Sequence, residues 1–158
     1  MNEIDLRHLR RCVELAAEAI EAGDDPFGSV LVAADGTVLG EGRNHETSSG
    51  DPTRHPEIDL ARWAATHLSA EERAAATLYT SGEHCPMCSA AHGWVGLGRI
   101  VYATSAAQLT AWRAELGAPA APVRPIPIQE VVLGVQVEGP VPEFEEDVRA
   151  LVRRSLSR

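Results

Sequence analysis

Leu6, Leu9, Val13, Ala16 and Ile20 recur at three- and four-residue intervals, which places one apolar stripe along a helix. Gly23 follows as its natural stop. Asp24-Asp25-Pro26 then turns the chain into Phe27-Gly28-Ser29-Val30-Leu31-Val32-Ala33, an apolar run β-branched enough to predict a strand. Asp35-Gly36 makes a hairpin turn, and Thr37 to Gly42 returns as a second strand. The polar stretch from Arg43 to Thr53 reads as a loop.

A second helix is predicted from Pro56 to about Leu68, with Leu60, Ala61, Ala64 and Leu68 on one side. Proline suits a first helical turn, where its missing N–H has no intrahelical partner anyway. Ser69 and Glu72 have capping-box spacing and open a short turn or helix end. Ala76 to Thr80 reads as a third strand, Pro86 to Val95 as a helix, and Arg99 to Ala103 as a fourth strand. Gln108 to Glu115 looks helical, and Gly117 to Pro127, with four prolines, is an extended connector. Val131 to Val137 alternates as a final strand, and Glu143 to Ser155 closes the chain as a helix. Helices alternating with strands predict a three-layer α/β architecture, with one hairpin in a mostly parallel sheet.

The chain has 158 residues, a length that suits one domain with a single core, residues 1–158, and no linker divides it. No run of about 18 apolar residues is present, and Met1 to Asp5 is too acidic for a secretory signal, so a cytoplasmic location is expected. The net charge is −9, and the 14 positive charges are all arginine. They scatter apart from small clusters at Arg7, Arg10, Arg11 and at Arg153, Arg154, Arg158. Gripping a nucleic acid backbone needs a basic face, so this balance counts against a nucleic acid partner.

The three cysteines form an odd set, with Cys85 and Cys88 only three positions apart, which favours metal over disulfide. Cys12 falls on the first helical stripe and reads as a small core residue. His55, Cys85 and Cys88 have the types and spacing of a three-ligand zinc site, one ion per chain, with the fourth position open to water. Glu57 stands two positions after the histidine, where a carboxylate can move protons between water and a substrate. Both ligand clusters sit where helices begin, and the positive dipole end there favours thiolate. The competing possibility is a closed structural site with His45, His84 or His92 as fourth ligand. His84 adjoins Cys85 too closely to share a tetrahedron without strain, which leaves His92 as the better structural candidate. A purely structural site has no use for Glu57.

His-x-Glu followed by Cys-x-x-Cys resembles the signature of the zinc-dependent cytidine/deoxycytidylate deaminase superfamily. The resemblance runs from about Leu6 to Thr104 and takes in Pro26 to Val32, Gly42-Arg43-Asn44, Asp51 to His55, Tyr79-Thr80-Ser81 and Cys85-Pro86-Met87-Cys88. It looks closest to guanine deaminase and the tRNA adenosine deaminases, and it fades over a variable segment from about 105 to 158. It implies an α/β/α cytidine deaminase-like fold with a central mixed five-stranded sheet. It also implies zinc on His55, Cys85 and Cys88, Glu57 as the proton carrier, a homodimer, and a small heterocyclic base as substrate. A guanine-like ring comes first, with cytosine-, pterin- and triazine-like rings open.

The alternatives are a tRNA adenosine deaminase and a non-catalytic zinc-binding interaction module. Two positions depart from the family: Pro56 stands where alanine or valine is usual, and His84 where proline is common. By the same resemblance Asn44 contacts the base, although a loop asparagine also serves turns. Phe27, Trp94 and Trp112 are candidate walls or stacking surfaces, with core packing or subunit contact as the alternative. His84 either contacts substrate or faces solvent. Glu115, Glu143, Glu145 and Glu146 form a solvated acidic set, one of which is a candidate to swing over the site.

Overall fold

In a computed structural model covering residues 1–158, Asn2 opens α1 (Glu3–Glu21) with a reciprocal cap. Its side chain accepts from the N–H of Ile4 and Asp5, while the Asp5 carboxylate accepts from the Asn2 N–H. The buried face is centred on Leu9, Cys12, Ala16 and Ala19 at 0% exposure, so of the predicted stripe Leu9, Ala16 and Ile20 are buried while Leu6 and Val13 lie half-buried at its edge. Next come the hairpin strands β1 (Gly28–Val32) and β2 (Val38–Arg43), then a single helical turn, α2 (Glu46–Ser49), inside the stretch expected to be loop.

α3 (Pro56–His67) and α4 (Ala70–Ala75) follow. The Ser69–Glu72 box is formed on both sides and nucleates all six residues of α4, more than the short turn its spacing suggests. Then come β3 (Thr77–Gly82), α5 (Pro86–Val95), β4 (Ile100–Thr104) and α6 (Ala106–Glu115). α6 starts two residues before the predicted Gln108 because Ser105 and Gln108 form another reciprocal cap. The chain ends with α7 (Ile128–Val131), β5 (Val137–Glu138), a 3-10 turn at Pro142–Phe144, and α8 (Glu145–Leu156).

The sheet has five strands in the order β2-β1-β3-β4-β5, with helices on both faces. β1 runs antiparallel to β2 and also to β3, while β3–β4 and β4–β5 are parallel. β1 alone runs against the other four strands, so the sheet is mixed as expected, with an antiparallel β1–β3 pair beside the hairpin. The two-residue period of β1 divides its side chains between the layers. Val30 and Val32 join α1, α6 and α8 in a core with Leu9, Trp112, Phe144 and Val148, and Leu31 joins α3 in a second core with Leu60, Ala64 and Leu78. Gly28 is required where β1 crosses α1, because a Cβ there would lie 2.4 Å from the Cys12 carbonyl oxygen.

The predicted strand from Val131 to Val137 is a further correction. Ile128–Val131 is a helical turn, and only Val137–Glu138 pairs with the sheet. Gly134 takes φ +69°, a left-handed conformation that breaks an extended run. The valines instead pin the connection from one side, with Val132, Val135 and Val137 packed against Ile100, Tyr102 and Ile128. No helix is long and apolar enough to cross a membrane.

Candidate metal and catalytic centre

α3 and α5 begin alike: an extended residue at the N-cap position, then proline as the first helical residue. Those two residues are His55 and Cys85, and Cys88 follows on the first turn of α5. The helices pack together on one sheet face, which brings their N-terminal ends to a common point. His55 Nδ1 lies 3.5 Å from the sulfur of Cys85 and 3.5 Å from that of Cys88. A tetrahedral zinc with ordinary Zn–N and Zn–S bonds separates such donors by about 3.6 Å, so the trio has the spacing the ion demands.

The three donor atoms lie within 4.8 Å of one another, and no fourth histidine, cysteine or carboxylate joins them. His92 is not a ligand, because its Nε2 donates to the Gly98 carbonyl at 2.9 Å. A site with three protein ligands is the open, catalytic kind rather than the closed, structural kind.

The electrostatics suit a cation. Hydrogen bonding from Cys88 pulls the Cys85 thiol well below its usual range against the effect of burial, with His55 assisting. The same shared proton, together with burial, holds the Cys88 thiol up until a metal displaces it. Burial alone would lower His55, but hydrogen bonds with Cys85 and Glu46 outweigh it and raise the imidazole to about 10.

Glu57, on the first turn of α3, is 5% exposed. Its Oε1 accepts from Thr80 Oγ1 at 2.9 Å and lies 3.4 Å from Ser29 Oγ, which also donates to Thr80 Oγ1 at 3.0 Å. Burial raises the Glu57 carboxyl above the ordinary range, with the positive charge of His55 opposing. A raised carboxyl is a stronger base, better suited to take a proton from water and to give it back.

The pattern describing the cytidine and deoxycytidylate deaminase zinc-binding region matches residues 2–104. The chain belongs to that family. It is 44% identical to the guanine deaminase of Bacillus subtilis over 96 residues, 60% of this chain and 61% of that protein. It is 35% identical to the tRNA-specific adenosine deaminase of Haemophilus influenzae over 104 residues, 66% of this chain and 60% of that one. The chain thus spans less than two thirds of either relative's length. A solved structure of guanine deaminase from Bacillus subtilis superimposes with a TM-score of 0.60 at 37% identity, covering 85% of this chain and 88% of that one. The zinc-binding region of this deaminase-family chain contains His55, Cys85 and Cys88, the donors that fit the ion.

The other predicted residues of this family member fall in different places. Asn44 is buried at 1% exposure, and its Oδ1 accepts from the Glu46 N–H at 3.0 Å, so its side-chain oxygen is committed to a turn. Phe27 is half-buried and packs with Leu109 over Gly82, at the edge of the core that also holds Trp112, so core packing accounts for much of its contact.

Packing bears on three further candidates. Trp94 is 92% exposed on the last turn of α5, six residues past Cys88 and about 9 Å along the helix axis, so it does not wall the site of its own chain. Trp112 is 5% exposed in the core beneath α1, on the opposite face of the sheet from α3 and α5. His84 does not face solvent. It is 1% exposed, its ring stands edge-on to His92 with centroids 5.4 Å apart, and burial keeps it neutral. The acidic set stays solvated, with Glu115 paired to Arg149 and Glu143 paired to Arg10 at the surface.

Several residues here escaped the sequence reading. Ser29 and Thr80 face each other in register on adjacent strands, and two hydroxyls in otherwise apolar runs were a usable signal. Glu83 accepts from the N–H of Ala106 at 2.8 Å and of Ile128 at 3.2 Å, tying the C-terminal segment to the cysteine turn. Glu46 accepts from His55 Nε2 at 2.6 Å, and nothing in its local sequence marks it.

Proposed function

We propose that this chain is a zinc-dependent hydrolytic deaminase of a free nucleobase or a similar aminated heterocycle, guanine-like first. Water and the C–NH2 group of the ring become a ring carbonyl and ammonia. The observation that carries the reading is a buried Glu57, tethered by Thr80 on the helix that His55 opens, together with a donor set of only three protein ligands.

Zinc, when bound, supplies a water acidified to near neutrality. Glu57 would take a proton from the attacking water and deliver it to the departing amine, while Thr80 holds one carboxylate oxygen in place. The Asn44 amide donates to an acceptor on the ring edge, and Phe27 forms an apolar boundary near the cysteine turn. The preference for guanine is supported by 44% identity to the Bacillus subtilis guanine deaminase.

A tRNA substrate is the second reading, favoured by 35% identity to the Haemophilus influenzae adenosine deaminase. The net charge of −9 opposes it, because RNA binding requires many phosphate contacts. The test is ammonia release from guanine, cytosine, a pterin, an aminotriazine and tRNA, with products identified by mass. Turnover of a free base supports the proposal, and turnover of tRNA alone replaces it. Silence on every substrate gives way to a non-catalytic zinc-binding module.

We further propose a cytoplasmic homodimer. The exposure of Trp94 at 92% and Leu133 at 98% supports a subunit contact, and a protomer mass in sedimentation would end that part of the reading.

A further inference from the structure

We infer that Glu46 is a positioning residue for the metal, orienting the His55 ring so that Nδ1 faces the two sulfurs. The inference rests on the zinc reading of the site. The two ring nitrogens have different partners: Nδ1 lies 3.5 Å from both Sγ atoms, and Nε2 lies 2.6 Å from Glu46 Oε1. With the carboxylate accepting, Nε2 keeps its proton, and Nδ1, which faces the two sulfurs, is the nitrogen that would give up its proton to ligate the metal. A carboxylate behind a metal-bound imidazole fixes both tautomer and ring rotation and makes the nitrogen a better donor.

The carboxylate is held in place rather than free to wander. The Glu46 N–H donates to Asn44 Oδ1 at 3.0 Å, and its carbonyl accepts from the Asp51 N–H at 3.1 Å. Two residues on, Ser48 donates from both its backbone nitrogen and its hydroxyl to Asp24, each at 2.7 Å, and Asp24 is 0% exposed. The neighbouring His45 N–H donates to the Arg54 carbonyl at 3.0 Å. The loop is therefore stitched to the end of α1 on one side and to the approach to His55 on the other. Glu46 and His55 are nine residues apart on that one loop, so the local chain path sets the pair.

The experiment measures zinc affinity of the purified protein by competition with a chromophoric chelator, for wild type, E46Q and E46A. The visible spectrum of the cobalt(II)-substituted protein is recorded for each. We expect E46A to weaken metal binding by about 10- to 100-fold and to shift the cobalt ligand-field bands. E46Q, which keeps an acceptor oxygen but loses the charge, falls between E46A and wild type. Native circular dichroism in E46Q guards against a folding artefact in E46A. Affinities within twofold of wild type in both variants, with unchanged cobalt bands, overturn the role of Glu46 and leave the zinc site intact. A wild type that binds no zinc overturns the zinc reading and this inference together.

Discussion

Thr80 donates from Oγ1 to Glu57 Oε1 at 2.9 Å, and so fastens the proposed proton carrier on α3 to a central strand of the sheet. A carboxylate with one oxygen tethered has lost most of its rotational freedom. Its other oxygen is left to handle the proton, and the strand register opposite Ser29 sets the height at which it is held.

Replacing the carboxyl while keeping its shape separates metal binding from chemistry. Glu57→Gln should retain one zinc per chain, measured by mass spectrometry of the metal. Ammonia release should fall at least 100-fold, the usual contribution of a placed acid–base group. Retained turnover in this variant would remove Glu57 from the mechanism.

The tether itself is tested by Thr80→Val, which keeps the shape and deletes the donor. A hydrogen bond to a charged group contributes about 1.5–3 kcal/mol. Glu57 must be ionised to act as base, so activity is lost as pH falls through its raised folded-state pKa. The Thr80 hydrogen bond opposes that rise, so its loss lifts the pKa further and the acid limb of the pH–rate profile moves to higher pH. An acid limb that stays in place, or moves down, contradicts the tether.

Away from the site, Asp5 accepts from Arg99 through both carboxylate oxygens, from the Tyr79 hydroxyl and from the Asn2 N–H, joining α1 to two strands. The Arg99 guanidinium holds its carboxyl well below the ordinary range against the cost of burial. A depressed carboxylate stabilises the fold fully above the unfolded value, and that stability is lost as pH falls below about 4. Asp5→Asn should therefore lower thermal stability at neutral pH and flatten its fall on the acid side. Thermal unfolding followed between pH 3 and pH 7 should show the two curves converging at the low end; parallel curves would refute the linkage.

Metal removal should uncouple the α3 and α5 starts. Ligand that binds only the folded state stabilises it by about 2.7 kcal/mol at one hundred times its dissociation constant. Stripping zinc with a chelator should depress Tm, and added zinc should restore it. Cys88→Ser should show a depressed Tm that zinc does not restore. If Tm is indifferent to zinc, His55, Cys85 and Cys88 do not hold the ion.

Much of this protein is decided by short stretches of chain. The 3.6-residue stripe from Leu6 to Ile20, the alternation in β1, and the proline-started helices after His55 and Cys85 are local periodicities and local stereochemistry. They fix which face of each element is apolar, and they put the three donors and Glu57 at helix starts whatever those helices pack against.

Other features depend on which faces meet. The antiparallel pairing of β1 with β3, the two-residue β5 and the burial of Trp112 and His84 are set by partners far away in the chain. So is the exposure of Trp94, whose place on α5 lies beyond what neighbouring elements cover. Thr80 reaches Glu57 only because β3 lies beside β1 under α3. Glu46 reaches His55 only because Asp24, from another part of the chain, anchors its loop. A residue's type and spacing settle what chemistry it can perform, whereas close packing of distant segments settles which atoms come within the roughly 3 Å at which hydrogen bonds and metal bonds operate.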